Sequence, residues 1–179
     1  MNCAQYPIKN HKDYSSFLLT HKHNYVQYND VKGKPMFKTE RFKLPVGIFI
    51  MLRKNNQVLL QLRQNCSFSG YWGLVGGHLD GNEQIASAAI REVKEEVGID
   101  ICPEDLILKT ICHSNKGAEY LQFYFECHKW SGKIENKEPN KCERLEWYDW
   151  NHIPENTCSY LKEAIDKINA IIPFYEDDF

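Results

Sequence analysis

No long hydrophobic run occurs in this 179-residue chain. Its longest apolar stretches, such as Pro45–Leu52, fall far short of the roughly 20 residues a helical membrane span needs. The start, MNCAQYPIKNHKDY, lacks the apolar core of a signal peptide, so the expectation is a cytoplasmic protein. Seven cysteines are present (Cys3, Cys66, Cys102, Cys112, Cys127, Cys142, Cys158), yet no CxxC pair occurs among them. A scattered, odd-numbered set excludes a disulfide frame and a zinc knuckle, and implies reduced thiols. Histidine clusters are also lacking: His21-Lys-His23 stands alone in a polar, solvated stretch. Internal repeats and low-complexity runs are absent.

What is present suits one globular domain with a core, since 42% of residues are apolar and 13% aromatic. The net charge of −2 hides an asymmetry. Residues 1–66 carry eleven Lys and Arg against three acids, a net +8, while the rest carries eleven against twenty-one, a net −10. A basic front and an acidic back suit a site where carboxylates hold cations and basic side chains meet an anionic ligand.

Residues 1–42 form a polar extension with one apolar knot, Phe17-Leu18-Leu19, and a turn at Lys32-Gly33-Lys34-Pro35. The domain proper is expected over 43–179. Val46–Leu52 and Val58–Leu62, joined at Lys54-Asn55-Asn56, read as a hairpin, and Tyr71–Val75 as a strand ending in Gly76-Gly77. Ile85, Ala89, Val93 and Val97 recur every four residues, the stripe of an amphipathic helix, with Asn82 as N-cap and Gly98 at its C-terminal end. Leu106–Cys112, Tyr120–His128 and Leu145–Trp150 read as strands, with a loop over Ser131–Arg144 and a closing helix over Thr157–Ile172. This order predicts an α/β fold, a mixed β-sheet sandwiched between helices.

The first helix crowds its own carboxylates. Glu92, Glu95 and Glu96 fall at offsets of three and four residues, so they share one face and repel by roughly 0.2–0.5 kcal/mol per pair. Arg91 adjoins them, Glu83 lies eight residues before Arg91, and Gly76-Gly77 allow the backbone to approach a ligand. Carboxylates on a helix pinned by an apolar face supply the fixed oxygen ligands that hard divalent cations require.

These residues resemble the Nudix box, G-x5-E-x7-R-E-U-x-E-E-x-G-U with U a bulky aliphatic. Here it is filled by Gly77, Glu83, Arg91, Glu92, Val93, Glu95, Glu96, Gly98 and Ile99. The flanks LLQLRQ…GYWGLVGGHLDGNE and LEWYDWNHIPEN are similar to MutT-type members, so the resemblance runs over about residues 44–172. It implies a Nudix fold and a hydrolase that cleaves a nucleoside diphosphate linked to another group, using Mg²⁺ for which Mn²⁺ substitutes. Glu92, Glu95 and Glu96 match the family's metal-binding glutamates, and the Gly76 carbonyl matches a backbone ligand. Arg91 matches the residue that orients them, while Glu83, with Gly77 and Gly98, supports the loop–helix geometry. A further catalytic and metal carboxylate is expected from the loop after Trp130. Glu138 is the candidate there, with Glu135, Glu143 and Glu119 as competitors.

Family signatures for other substrates are missing: Asn115 stands in the region where ADP-ribose pyrophosphatases carry proline, Tyr120 falls too late for a dinucleotide hydrolase, and Arg63 is followed by Gln-Asn-Cys-Ser, unlike coenzyme A hydrolases. The resemblance then implies a nucleoside triphosphate pyrophosphohydrolase acting on normal or oxidised nucleotides. Arg63, Tyr71 and Trp72 are the candidate substrate contacts, with Phe123 and Trp147 as further aromatics that could stack a base. Alternatives are an RNA 5′-pyrophosphohydrolase whose basic N-terminal part tracks the strand, a nucleotide-sugar or dinucleotide pyrophosphatase, and a nucleotide-sensing module without catalysis. No membrane partner is expected, and a monomer and a homodimer are both compatible with the sequence.

Overall fold

The computed structural model describes residues 42–178; the apolar knot and the turn of the N-terminal extension lie outside them. Eight strands and two helices follow in the order β1 (Val46–Lys54), β2 (Gln57–Arg63), β3 (Trp72–Gly73), β4 (Val75–His78), α1 (Ile85–Val97), β5 (Ile107–Ser114), β6 (Tyr120–Cys127), β7 (Cys142–Asp149), α2 (Ser159–Asn169) and β8 (Phe174–Asp177). The first strand organises the rest. Its length pairs parallel with β6 and antiparallel with β4. The expected β1–β2 hairpin closes only at its tip, Arg53↔Val58 and Lys54↔Gln57, before β2 leaves to pair with β7 and β3. Beyond β6 the sheet continues antiparallel to β5 and parallel to β8.

Period-two alternation splits β1 between two cores. Ile48, Ile50 and Leu52 pack with Val75 and with Ala88, Ala89, Val93 and Val97 of α1. Met51 packs on the other side with Leu60, Tyr124 and Leu161, Ala164 and Ile165 of α2. One helix on each face gives the mixed sheet between helices that the pattern predicted.

Two local expectations are corrected, and one strand is added. Asn82 is not the N-cap: it occupies a left-handed turn (φ 70°), and α1 begins after Gln84, whose side chain makes no capping bond. The single strand expected over Tyr71–Val75 is two, because at Leu74 the chain passes from pairing with β2 to pairing with β1. The carbonyl freed there accepts a hydrogen bond from Gln61 Nε2 at 2.8 Å. Finally, β8 follows the closing helix, a short edge strand whose pattern is too brief to read alone. At the other end of α1, Gly98 has φ 77° and its N–H donates to Lys94 O, a left-handed C-terminal cap as expected.

The strand switch brings Gly76 against β1 in a conformation with φ 148°, where an added Cβ would sit 2.0 Å from the Ile48 carbonyl oxygen and 2.9 Å from Phe49 Cα. Gly76→Ala is therefore expected to lower unfolding free energy by on the order of 3 kcal/mol. Gly81→Ala, whose Cβ meets nothing within 4 Å, should shift it by less than about 0.5 kcal/mol. Urea titration of the two variants checks the contrast; equal midpoints would contradict it.

Candidate active site

Arg91, in the middle of α1, gathers the acidic residues around it. Its Nη2 donates to Glu83 Oε1 at 2.8 Å and to the His78 carbonyl at 3.0 Å; its Nη1 donates to Glu92 Oε1 at 2.7 Å and to Glu95 Oε2 at 3.2 Å. Glu83, just before the helix, also accepts the Asp80 N–H at 2.7 Å, so it ties the β4–α1 loop to the helix. These bonds hold the Glu83 carboxyl below the usual carboxylate range, the Arg91 hydrogen bond being the larger cause. In return they raise the Arg91 guanidinium further above its already high value.

Glu92 and Glu96 are pushed the opposite way. Burial raises Glu92, with Arg91 opposing and Glu95 and Glu138 adding repulsion. Glu96 is pushed up to about 8, chiefly by burial. The Gly76 N–H bond at 2.8 Å offsets part of this rise, while Glu92 and Glu138 add to it. Gln61 Nε2 donates to the same Glu96 oxygen at 3.3 Å. A Cβ at Gly77 would stand 2.5 Å from Glu92 Oε1, so a side chain there would displace that carboxylate.

These groups face one cavity of about 570 Å³, within the range of small-molecule sites. Gly76, Gly77, Glu92, Glu95, Glu96, Glu138 and Arg63 all line it. Glu138 thus joins the box glutamates, held by Lys141 Nζ at 2.8 Å. Its competitors do not line it: Glu135 pairs with Lys133 and Lys137, Glu143 with Arg144, and Glu119 with His113. Arg63 Nε is anchored on the Ser67 carbonyl at 2.9 Å.

The aromatic expectations need correction. Trp72 is 3% exposed and packs edge-on against Tyr148 in the core, so it is unavailable to a ligand. Its neighbour Tyr71 is exposed but does not line the cavity. Phe123 and Trp147 pack against the α1-side core, Trp147 stacked on Trp130 at 6.1 Å. The aromatic wall is built instead from Phe49, Phe68, Tyr120, Tyr160 and Tyr175. Phe68 adopts a left-handed backbone (φ 60°) and meets Tyr160 edge-on at 5.7 Å. That conformation is uncommon for a bulky residue, and no sequence pattern announced it.

The donor set suits a hard divalent cation: carboxylate oxygens, one of them buried among like charges that a cation would relieve. Among the described residues these side chains do not converge on one point as a finished cage, because Glu92 and Glu95 lean on Arg91. No helix among the described residues is long and apolar enough to cross a membrane.

A mixed sheet with one helix on each face, and clustered carboxylates opening on one cavity, is the arrangement that the resemblance of Gly77–Ile99 to the Nudix box implies. Residues 41–168 match the model of the NUDIX domain family, and the chain belongs to that family. It is 28% identical over 99 residues to an 8-oxo-dGTP diphosphatase of Proteus vulgaris, a match covering 55% of this chain and 88% of that protein. It is 28% identical over 126 residues to the 8-oxo-dGDP phosphatase NUDT18 of Mus musculus, covering 68% of this chain but only 38% of the mouse protein. Among solved structures, a MutT NUDIX hydrolase from Burkholderia pseudomallei aligns with TM-score 0.64 and 25% identity, over 70% of this chain and 98% of its own.

Because Glu96 titrates from 4.5 in the unfolded chain to about 8 in the folded one, the folded state binds more protons between those values. Stability without divalent cations should therefore fall as pH rises through that window. Glu96→Gln removes the titrating group, so its melting temperature in EDTA should vary less with pH and exceed the parent's near pH 8. Parallel pH–melting curves for the two proteins would overturn the assignment.

Proposed function

We propose that this protein is a Mg²⁺-dependent pyrophosphohydrolase that cleaves nucleoside triphosphates, normal or oxidised at the base, to monophosphate and pyrophosphate, with Mn²⁺ able to substitute. One observation carries this reading: Glu92, Glu95, Glu96 and Glu138 share a single cavity with Arg63 and Lys141, so carboxylates for a cation and cations for a phosphate chain face the same space. The names of the Proteus vulgaris and mouse relatives point to nucleotides of oxidised guanine.

Glu92, Glu95, Glu96 and Glu138, with the Gly76 carbonyl, would hold Mg²⁺. When bound, such ions neutralise phosphate oxygens and lower the pKa of a coordinated water. The chain's own groups do the rest. Arg91 keeps Glu92 and Glu95 from splaying apart, and the Gly76 N–H and Gln61 orient Glu96. Arg63 and Lys141 offset the charge of the phosphate chain on the same wall. A carboxylate of the wall receives the proton of the attacking water, and Glu92 and Glu138 are the two candidates. Water adds to phosphorus, a P–O anhydride bond breaks, and pyrophosphate departs.

Two outcomes are expected. Across deoxynucleoside triphosphates, 8-oxo-dGTP, ADP-sugars, dinucleotides and triphosphorylated RNA, each with Mg²⁺ and with Mn²⁺, a triphosphate should give the highest kcat/KM, with pyrophosphate as product. Release of phosphate alone, or preference for another class, would overturn the reading. Turnover of Glu96→Gln should fall by at least about a hundredfold with the fold retained by circular dichroism. Parental rates in this variant would remove the glutamates from the chemistry.

A further inference from the structure

The cavity has a second end, built by β5, the β5–β6 turn, α2 and β8. Here Lys116 Nζ donates to Asp177 Oδ2 at 2.6 Å and to Glu163 Oε2 at 2.7 Å, and all three residues line the cavity that holds the glutamates. Asp177 closes β8, which lies beyond residues 41–168 that match the family model. Its backbone is fixed by the parallel register Ser114↔Asp177 and by the Asn115 N–H, which donates to the Asp177 carbonyl at 3.0 Å. Its carboxylate is only 12% exposed, so it faces the cavity and not bulk water.

Two carboxylates against one ammonium leave this end net negative. A phosphate chain is repelled from it toward Arg63 and Lys141, and a heterocycle rich in N–H donors is attracted. The order of groups matters as well. The ammonium stands beside Oδ2, steadied by Glu163, so a ligand edge meeting this pair would find two acceptors, Oδ1 and Oδ2, and then a donor, Nζ. The complement is donor, donor and acceptor, which is the N2–H, N1–H and O6 edge of guanine. Adenine presents a lone pair at N1, which a carboxylate oxygen repels.

We propose that Asp177, with Lys116, reads the guanine edge of the substrate base, so that β8 sets the base selectivity of the enzyme. The proposal rests on the pyrophosphohydrolase reading above. Oxidation at C8 leaves this edge unchanged, so the contact selects guanine over other bases and does not separate oxidised from normal guanine.

The test measures kcat/KM by pyrophosphate release for dGTP, dITP and dATP with the full-length protein and with Asp177→Asn. The parent should prefer dGTP to dATP, and to dITP (which lacks only the 2-amino donor), by at least about tenfold. In Asp177→Asn both ratios should collapse to about threefold or less, with the loss falling mainly on KM. Lys116→Gln should weaken dGTP and dITP alike, since both carry O6. A folded Asp177→Asn that keeps the parental ratios overturns the proposal. If that variant does not fold, a dGTP-to-dITP ratio near one in the parent overturns it equally. Cleavage of all triphosphates without base preference defeats this inference alone, whereas cleavage of none defeats the pyrophosphohydrolase reading as well.

Discussion

The site depends on the Arg91 guanidinium. Glu92 and Glu95 are drawn to one of its nitrogens at 2.7 and 3.2 Å, and Glu83 and the His78 carbonyl to the other at 2.8 and 3.0 Å. Without that shared cation, carboxylates three and four residues apart would turn away from one another. Because Arg91 also reaches the loop before the helix, one side chain sets the angle between the end of β4 and the start of α1. The apolar stripe Ala89, Val93 and Val97, fully buried beneath it, prevents the helix from rolling in response.

A second constraint comes from the sheet. At Leu74 the chain leaves β2 for β1, and that step puts the Gly76 N–H onto Glu96. Gln61, buried in β2, bonds both to the Leu74 carbonyl and to Glu96, so one amide side chain couples the strand switch to the buried carboxylate. The elevated proton affinity of Glu96 follows from this placement: burial and neighbouring glutamates outweigh the N–H bond it receives. A charged carboxylate in that position destabilises the metal-free fold, and under the proposed function a bound divalent cation would relieve it.

Much of this was legible in the residues. The stripe of α1, its Gly98 cap and the acidic face were readable because their periodicity is local, and Arg91 was readable as the partner of adjacent glutamates. Glu138 was expected from the family resemblance and its spacing in the loop, and the fold puts it on the cavity wall. What escaped depends on partners distant in sequence. Gln61 looks like an ordinary polar residue of an alternating strand until Leu74 and Glu96 arrive beside it. Tyr71 and Trp72 offered two adjacent aromatics, and only the fold shows that Trp72, opening β3, enters the core while Tyr71, in the bend before it, stays outside. Asn82 has a capping side chain but sits in a left-handed turn. The edge strand β8 is defined by its parallel register with β5, which no four-residue pattern reveals.

The central claim, that this wall of carboxylates is a divalent-cation site, is tested most directly by Mn²⁺ binding followed by electron paramagnetic resonance, without any substrate. Stoichiometric binding to the parent is expected, with a loss of affinity of at least about tenfold in Glu96→Gln. Binding should be unchanged in Glu135→Gln, whose carboxylate pairs with Lys133 and Lys137 away from the cavity. Equal Mn²⁺ affinity in all three proteins would contradict it.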